Sequence, residues 1–542
     1  MATTLALHIF GLSSSSEVSV RSDETISEIL KRIAPPEGGL RSQLISGTSV
    51  LAADQTVQEL NLSDGSELQL VRFKDVVTCT GIADSGRLRK DLFAVSIPRP
   101  VSNIAAMAFR DCVVLSYVEI PDSVTRLGKQ AFRGCSSLSQ LAMPESLVEI
   151  GNEAFQLCTA LQSLSIPKSV TRIGEKAFHS CSSLATVGLP SIPHVHTETF
   201  FGCALMQLEL PSSVASIGER AFAKCSSLTK VLLPNVTSIR KEAFLDCTAL
   251  CDVQLSDSLT EIGEAAFSHC GLLTLKLPDS VLSVGAKAFQ KCPLREVKLS
   301  SAMTKLEKEL FASCRLSSIE IPASITEIHV QAFHGCGDLV MVDLPTSLRS
   351  IGNAAFSLCK SLALLEIPNS VTTIGDQAFH GCSALTRLVI PESVKAIGFG
   401  AFRDCRSLSQ VLLPKDLSEL KPRSFEACIA LTKLEICCST IGKRAFFGCH
   451  ALKELHLPVC KHIDDEAFRE CPLSQFDMPK CLSHIGDMAF HSTALTQLEI
   501  PSSVKFIGAK AFSNCALTRV KMPEHFKDLD CFRDLSCDFE LL

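Results

Sequence analysis

Residues 370–391 read SVTTIGDQAFHGCSALTRLVIP, and most of the chain is a variation on that phrase. From Phe109 to Phe512 a phenylalanine recurs every 21 to 23 residues, nineteen times, usually inside I-G-x-x-A-F-x-x-C. A strict period of this length predicts a solenoid, in which each unit buries its apolar face against its neighbours. Such arrays present long binding surfaces far more often than they assemble catalytic pockets.

The spacing inside one unit predicts its parts. Leu385, Leu388 and Ile390 form an L-x-x-L-x-L strand with its apolar side chains inward, and Pro391 ends the strand's hydrogen bonding. Val394 and Ile397 face the core from a return segment, and Gly398 permits a tight bend. Ala401, Phe402 and Cys405 then fall at i, i+1 and i+4, which suits one short helical turn.

Composition excludes several functions. The net charge of −6 over 542 residues, with no dense Lys/Arg run, gives no footprint for nucleic acid. No apolar run is long enough to span a membrane. There is no Trp, Tyr117 is the only Tyr, and nineteen of thirty Phe belong to the repeat column. The opening MATTLALHIFGL lacks a basic n-region, so a cytoplasmic or other reducing intracellular location is expected.

Eighteen of the 26 cysteines stand three residues after the repeat Phe, and Thr493 takes that place in the Phe490 unit. Stacked strands put equivalent residues about 4.8 Å apart with parallel Cβ vectors. A disulfide needs Cβ atoms at roughly 3.8 Å and turned together. The column therefore reads as reduced thiols packed as small hydrophobes. No phosphate loop, nucleophile elbow or H-E-x-x-H is present, and no catalytic residue, cofactor or metal is expected. His194, His196 and Glu198 alternate where the repeat has I-G, and Cys437, Cys438, Cys460 and Cys481 lie near His462 and His484; neither set has zinc-site spacing. Sequons occur at Asn61 and Asn235.

Residues 1–73 contain no repeat. Leu5, Leu7 and Ile9 alternate as in a strand, Val18 and Val20 resume the pattern, and Ile26, Ile29, Leu30 and Ile33 have helical spacing. Leu44-Ile45 and Leu68–Phe73 read as later strands. The text SDETISEILKRIA at 22–34 and LISGTSVLAADQTVQELNLSDGSELQLV at 44–71 resembles ubiquitin-like domains. That resemblance implies a β-grasp whose recognition patch would include Leu44, Val71 and the loop residue Leu12. The chain continues as Arg72-Phe73-Lys74 where modifiers end in Gly-Gly, so conjugation through this end is not expected.

The nineteen repeats resemble the BspA-like, or treponemal-type, leucine-rich repeats. The resemblance implies a curved array with a parallel sheet on its concave face. The expected class is thus α+β: a β-grasp domain at 1–73, a linker at 74–91, repeats over 92–523 and a carboxy-terminal cap at 524–542.

Function should lie where the repeat dictates nothing. Period-two alternation turns the third and fifth residues of each strand outward. Met341, Leu364, Val389 and Leu412 would then form an exposed apolar patch flanked by Glu320, Asp343, Glu366 and Arg387. An apolar centre with a charged rim has the composition of a protein-binding surface. The expectation is a non-enzymatic scaffold holding a protein partner there, and a second partner through residues 1–73. An adaptor of the ubiquitin–proteasome pathway and a surface adhesin are the alternatives.

Overall fold

The computed structural model describes residues 4–10, 15–33, 41–46, 49–50, 55–56, 58–60, 62, 67–73, 94–97, 99, 101–474, 476–526 and 538–541. The expected linker at 74–91 and Leu12 lie outside the described residues. The chain divides into two compact units, Met1–Met206 and Gln207–Leu542.

The first unit opens with strands β1 (Thr4–Phe10) and β2 (Ser15–Arg21), helix α1 (Ile26–Ile33), and strands β3 (Arg41–Ser46), β4 (Ser49–Val50) and β5 (Glu67–Phe73). They form one sheet in the order β2-β1-β5-β3-β4, in which only β1 and β5 run parallel. A capping box starts α1: the Thr25 amide donates to Glu28 Oε2 at 2.9 Å, and the Glu28 amide donates to Thr25 Oγ1 at 3.3 Å. Ile26 and Ile29 are fully buried, as their spacing requires.

The expected α+β class is overturned. Helix amounts to about 2% of the chain, and the protein is nearly all β, a parallel β-solenoid of about 20 turns. Among the described residues the helical elements are α1 and a three-residue 3-10 turn at Glu524–Phe526. The β-grasp expected at 1–73 is withdrawn with the class. Segments 34–40, 51–54 and 63–66, which such a fold would need, lie outside the described residues.

The repeats explain the error. The Phe-bearing arm was expected to make a helical turn, yet the residues two before and two after each Phe adopt left-handed φ. Around Phe333 these are Gln331 (φ 58°) and Gly335 (φ 72°); around Phe402 they are Gly400 (φ 56°) and Asp404 (φ 58°). A left-handed residue every fourth position cannot belong to a right-handed helix. The compensation is between turns. Gln331, Phe333 and Gly335 donate their amides to the carbonyls of Asn353, Ala355 and Ser357 in the next turn, at 2.9, 2.8 and 2.8 Å. Ala332, His334 and Cys336 donate within their own turn. A helix would keep all these bonds to itself, whereas this arm shares every second one with its neighbour.

Around Phe402 each remaining arm carries a short parallel strand. Arg387–Val389 pairs with Gln410–Leu412, and Ala396–Ile397 pairs with Thr373–Ile374. Leu385, Leu388, Ile390, Val394, Ile397, Ala401, Phe402 and Cys405 are all buried, as the spacing predicts. Gly398 has a different reason from the expected bend. A Cβ there would stand 2.4 Å from the Asp376 nitrogen and the Gly375 carbonyl carbon, so it is close stacking of turns that excludes a side chain.

The Phe rings form offset stacks. In the first unit Phe109, Phe132 and Phe155 have centroids 5.0 and 5.3 Å apart at interplanar angles of 2–3°. In the second, Phe333 lies 5.7 Å from Phe311 and 5.1 Å from Phe356. The thiols do more than fill space. Cys135 Sγ donates to the Phe109 carbonyl at 3.1 Å, Cys336 Sγ to the Phe311 carbonyl at 3.1 Å, and Cys471 Sγ to the Phe446 carbonyl at 3.1 Å. Each such carbonyl also accepts the amide of its own turn's cysteine. A buried backbone acceptor is thereby used twice.

Candidate functional site

The second unit carries the candidate face. Strands Ser318–Glu320, Met341–Asp343 and Leu364–Leu365 form one parallel sheet; Arg387–Val389 and Gln410–Leu412 form another. At the fourth position of each L-x-x-L-x-L segment the residue is buried, at Ile319, Val342, Leu365, Leu388 and Val411, and the residues beside it are exposed. The alternation places Met341, Leu364, Val389 and Leu412 in solvent at 41, 65, 44 and 59% exposure.

Register assembles them. Met341 stands opposite Leu364, and Val389 opposite Leu412. The first pair occupies the third position of the strand and the second pair the fifth, so the apolar band crosses the face diagonally over four successive turns. Val340, 47% exposed, extends the band beside Met341. It was missed because it precedes the alternating positions.

Glu320, Asp343, Glu366 and Arg387 are exposed around this band. Glu320 stands opposite Asp343, and Glu366 follows in the same file one turn on. Elsewhere in this unit opposite charges on adjacent strands pair directly: Lys230 Nζ lies 3.1 Å from Asp252 Oδ2, and Arg519 Nη2 lies 2.6 Å from Glu540 Oε2. The three carboxylates have no such partner among the described residues.

The other expected residues fall elsewhere. Leu44 lies on β3 opposite Leu70, and Val71 lies on β5 opposite Gln43. Glu198 lies 3.7 Å from Lys176 and 3.3 Å from His179. Burial, with Arg172 next in effect, lowers the His196 pKa. Cys438 and Cys460 direct their sulfurs at the carbonyls of Thr440 and His462, at 3.1 and 3.4 Å, and not at an imidazole. Burial pushes their thiols up to about 11 and about 12. No group of three or more His, Cys, Asp or Glu suited to a metal occurs among the described residues. Asn235 is exposed and donates from Nδ2 to the Ser212 carbonyl at 2.9 Å, while Asn61 lies outside the described residues.

Two groupings escaped the sequence reading. His484 stacks on Phe506 at 4.6 Å and 9°, with His462 6.1 Å further along the same file. All three precede the inward Ile of the return strand, and that shared repeat position was the available signal. In the turn arms, Glu466 accepts from Arg444 Nη2 at 2.9 Å and Arg469 Nη1 at 3.1 Å, and both guanidinium groups lie over Phe447. Burial raises the Glu466 pKa, but the two arginines outweigh it and hold the carboxyl below its ordinary 4.5.

A stacked leucine-rich-repeat solenoid with an exposed strand face is the class that this geometry defines. The chain belongs to the BspA type leucine rich repeat region family, whose pattern matches six times, over residues 89–203, 189–295, 260–386, 326–453, 372–491 and 434–536. No curated protein sequence matches it. Among solved structures, a leucine-rich repeat protein from Bacteroides ovatus is 27% identical, with a TM-score of 0.53 over 70% of this chain and 92% of that one. A leucine rich cell surface protein from Faecalibacterium prausnitzii is 29% identical, with a TM-score of 0.32 over 59% of this chain and 78% of that one. The leucine rich repeat protein of T. pallidum is 32% identical, with a TM-score of 0.26 over 33% of this chain and 76% of that one. No helix of the described residues is long and apolar enough to cross a membrane.

Proposed function

We propose that the chain is a non-enzymatic protein-interaction scaffold whose partner docks on the strand face at Met341, Leu364, Val389 and Leu412. The observation that carries this reading is the exposure of four large apolar side chains in four successive turns. Isolated exposed hydrophobes are ordinary, whereas a contiguous band rimmed by charge is the signature of a docking surface. The same reading puts the chain in a reducing compartment such as the cytoplasm. Its support is the thiol hydrogen bond repeated through the array, which an oxidised sulfur could not donate.

The ubiquitin-like character of residues 1–73 rests on sequence resemblance. No observation favours the pathway-adaptor or adhesin readings, so the strand face alone carries the proposal. The test is quantitative affinity capture with wild type and with Leu364→Arg plus Leu412→Arg. Both sites are exposed, so the variant should keep the wild-type melting profile and lose its bound protein. Equal capture by the two proteins would refute the reading.

A further inference from the structure

The charge around the band specifies its occupant. From Lys276 onward the fifth-position file reads Lys276, Lys298, Glu320, Asp343, Glu366, Val389, Leu412: two cations, then three carboxylates, then two apolar side chains. Like charges on neighbouring strands destabilise a sheet; the pairs Lys230–Asp252 and Arg519–Glu540 are neutralised by opposite charge, while Lys276 and Lys298 stand opposite each other just before Glu320. At Glu320, Asp343 and Glu366 no cation of the described chain closes the pair, and Arg387 makes no ion pair with them.

We infer that the docking partner presents a basic, apolar-anchored peptide segment, with Lys or Arg residues followed along one of its faces by large apolar residues. This inference rests on the strand face being a protein-binding surface and adds the chemistry of what binds. The apolar residues would cover Met341, Leu364, Val389 and Leu412, and the cations would pair with the carboxylate file. Burying that file against a neutral or acidic partner would strip water from three carboxylates without replacement. An anionic bilayer or a nucleic acid is repelled by the same file. Turns repeat about every 4.8 Å, close to the roughly 5–6 Å between helical side chains at i and i+4. A partner helix could thus present one residue to each turn.

The experiment is selection from a random peptide display library on immobilised full-length protein, discarding peptides that also bind Leu364→Arg plus Leu412→Arg. The patch-dependent peptides should be enriched at least about twofold in Lys and Arg together with Leu, Met or Phe. A synthesised recovered peptide, followed by fluorescence anisotropy, should bind Asp343→Asn plus Glu366→Gln about three- to tenfold more weakly, and binding should weaken with salt. Patch-dependent peptides with no excess of Lys and Arg, or with unchanged affinity for the amide variant, would overturn the inference while leaving the docking face intact. Failure to recover any patch-dependent peptide would overturn both.

Discussion

Replacing Cys336 by threonine and by valine tests what the cysteine column does. Cys336 is fully buried, and its Sγ donates to the Phe311 carbonyl at 3.1 Å, which also accepts the Cys314 amide at 3.1 Å. Threonine and valine share one shape and one branch at Cβ, so packing and backbone costs nearly cancel between them. If the thiol acts as a donor, threonine keeps the bond and valine loses it, a net difference of about 0.5–1.5 kcal/mol in favour of threonine. If the site wants only a small hydrophobe, threonine buries an unpaired hydroxyl at a cost of about 1–3 kcal/mol, and valine is the more stable. The two accounts differ in sign, which is stronger than a difference in size. The chain already tolerates a hydroxyl at this repeat position: Thr493 is 5% exposed, and its Oγ1 lies 3.1 Å from Cys515 Sγ. Native-state hydrogen exchange over residues 305–340, with urea unfolding as a second measure, should find the threonine variant harder to open. A difference of about 1 kcal/mol is roughly fivefold in the opening equilibrium. A valine variant as stable as the threonine variant, or more so, would refute the hydrogen-bond account.

Three further outcomes follow from the same geometry. Phe333→Ala should cost about 3–5 kcal/mol and, because stability in a repeat array is summed over neighbours, should split or lower the urea transition; an unchanged cooperative transition would count against the stack. Alkylation of native protein with mass mapping should label exposed Cys251 and Cys481 while sparing Cys181, Cys292 and Cys336, whose thiols burial pushes up to about 12; equal labelling rates before and after urea would contradict their burial. Glu466→Gln should lose about 1–3 kcal/mol at neutral pH. Since the folded carboxyl sits below its ordinary 4.5, its contribution is complete above that value and fades as pH falls through the lowered one. The gap between wild type and variant should close in acid, and a gap independent of pH would show that Arg444 and Arg469 do not act through the carboxylate.

The sequence spoke clearly wherever one unit contained the whole cause. The inward side chains at Leu385, Leu388 and Ile390 follow from alternation within a single strand, and so does the exposure of Val389 and Leu412. The turn arm was misread because its cause is shared between units. Ala401, Phe402 and Cys405 have the spacing of a helix, and nothing in one unit says that alternate amides will be claimed by the next. Gly398 misled in the same way, since the atoms that exclude a side chain there belong to Gly375 and Asp376, a full turn earlier.

That distinction also separates what was readable about the candidate face from what was not. Membership in the band is a property of each strand, so its four apolar residues could be named from position alone. The meaning of the carboxylate file is a property of neighbours. A glutamate or aspartate at an outward strand position is unremarked in one turn, and becomes a constraint only when Glu320 stands against Asp343 with Glu366 following and no cation between them. A solenoid repeats its core and varies its face, so a partner that spans several turns reads combinations of residues that no single repeat contains. Substituting one carboxylate of the file should therefore matter less than substituting two adjacent ones. The effect should depend on their adjacency, because the repulsion relieved and the partner charge lost both belong to the pair.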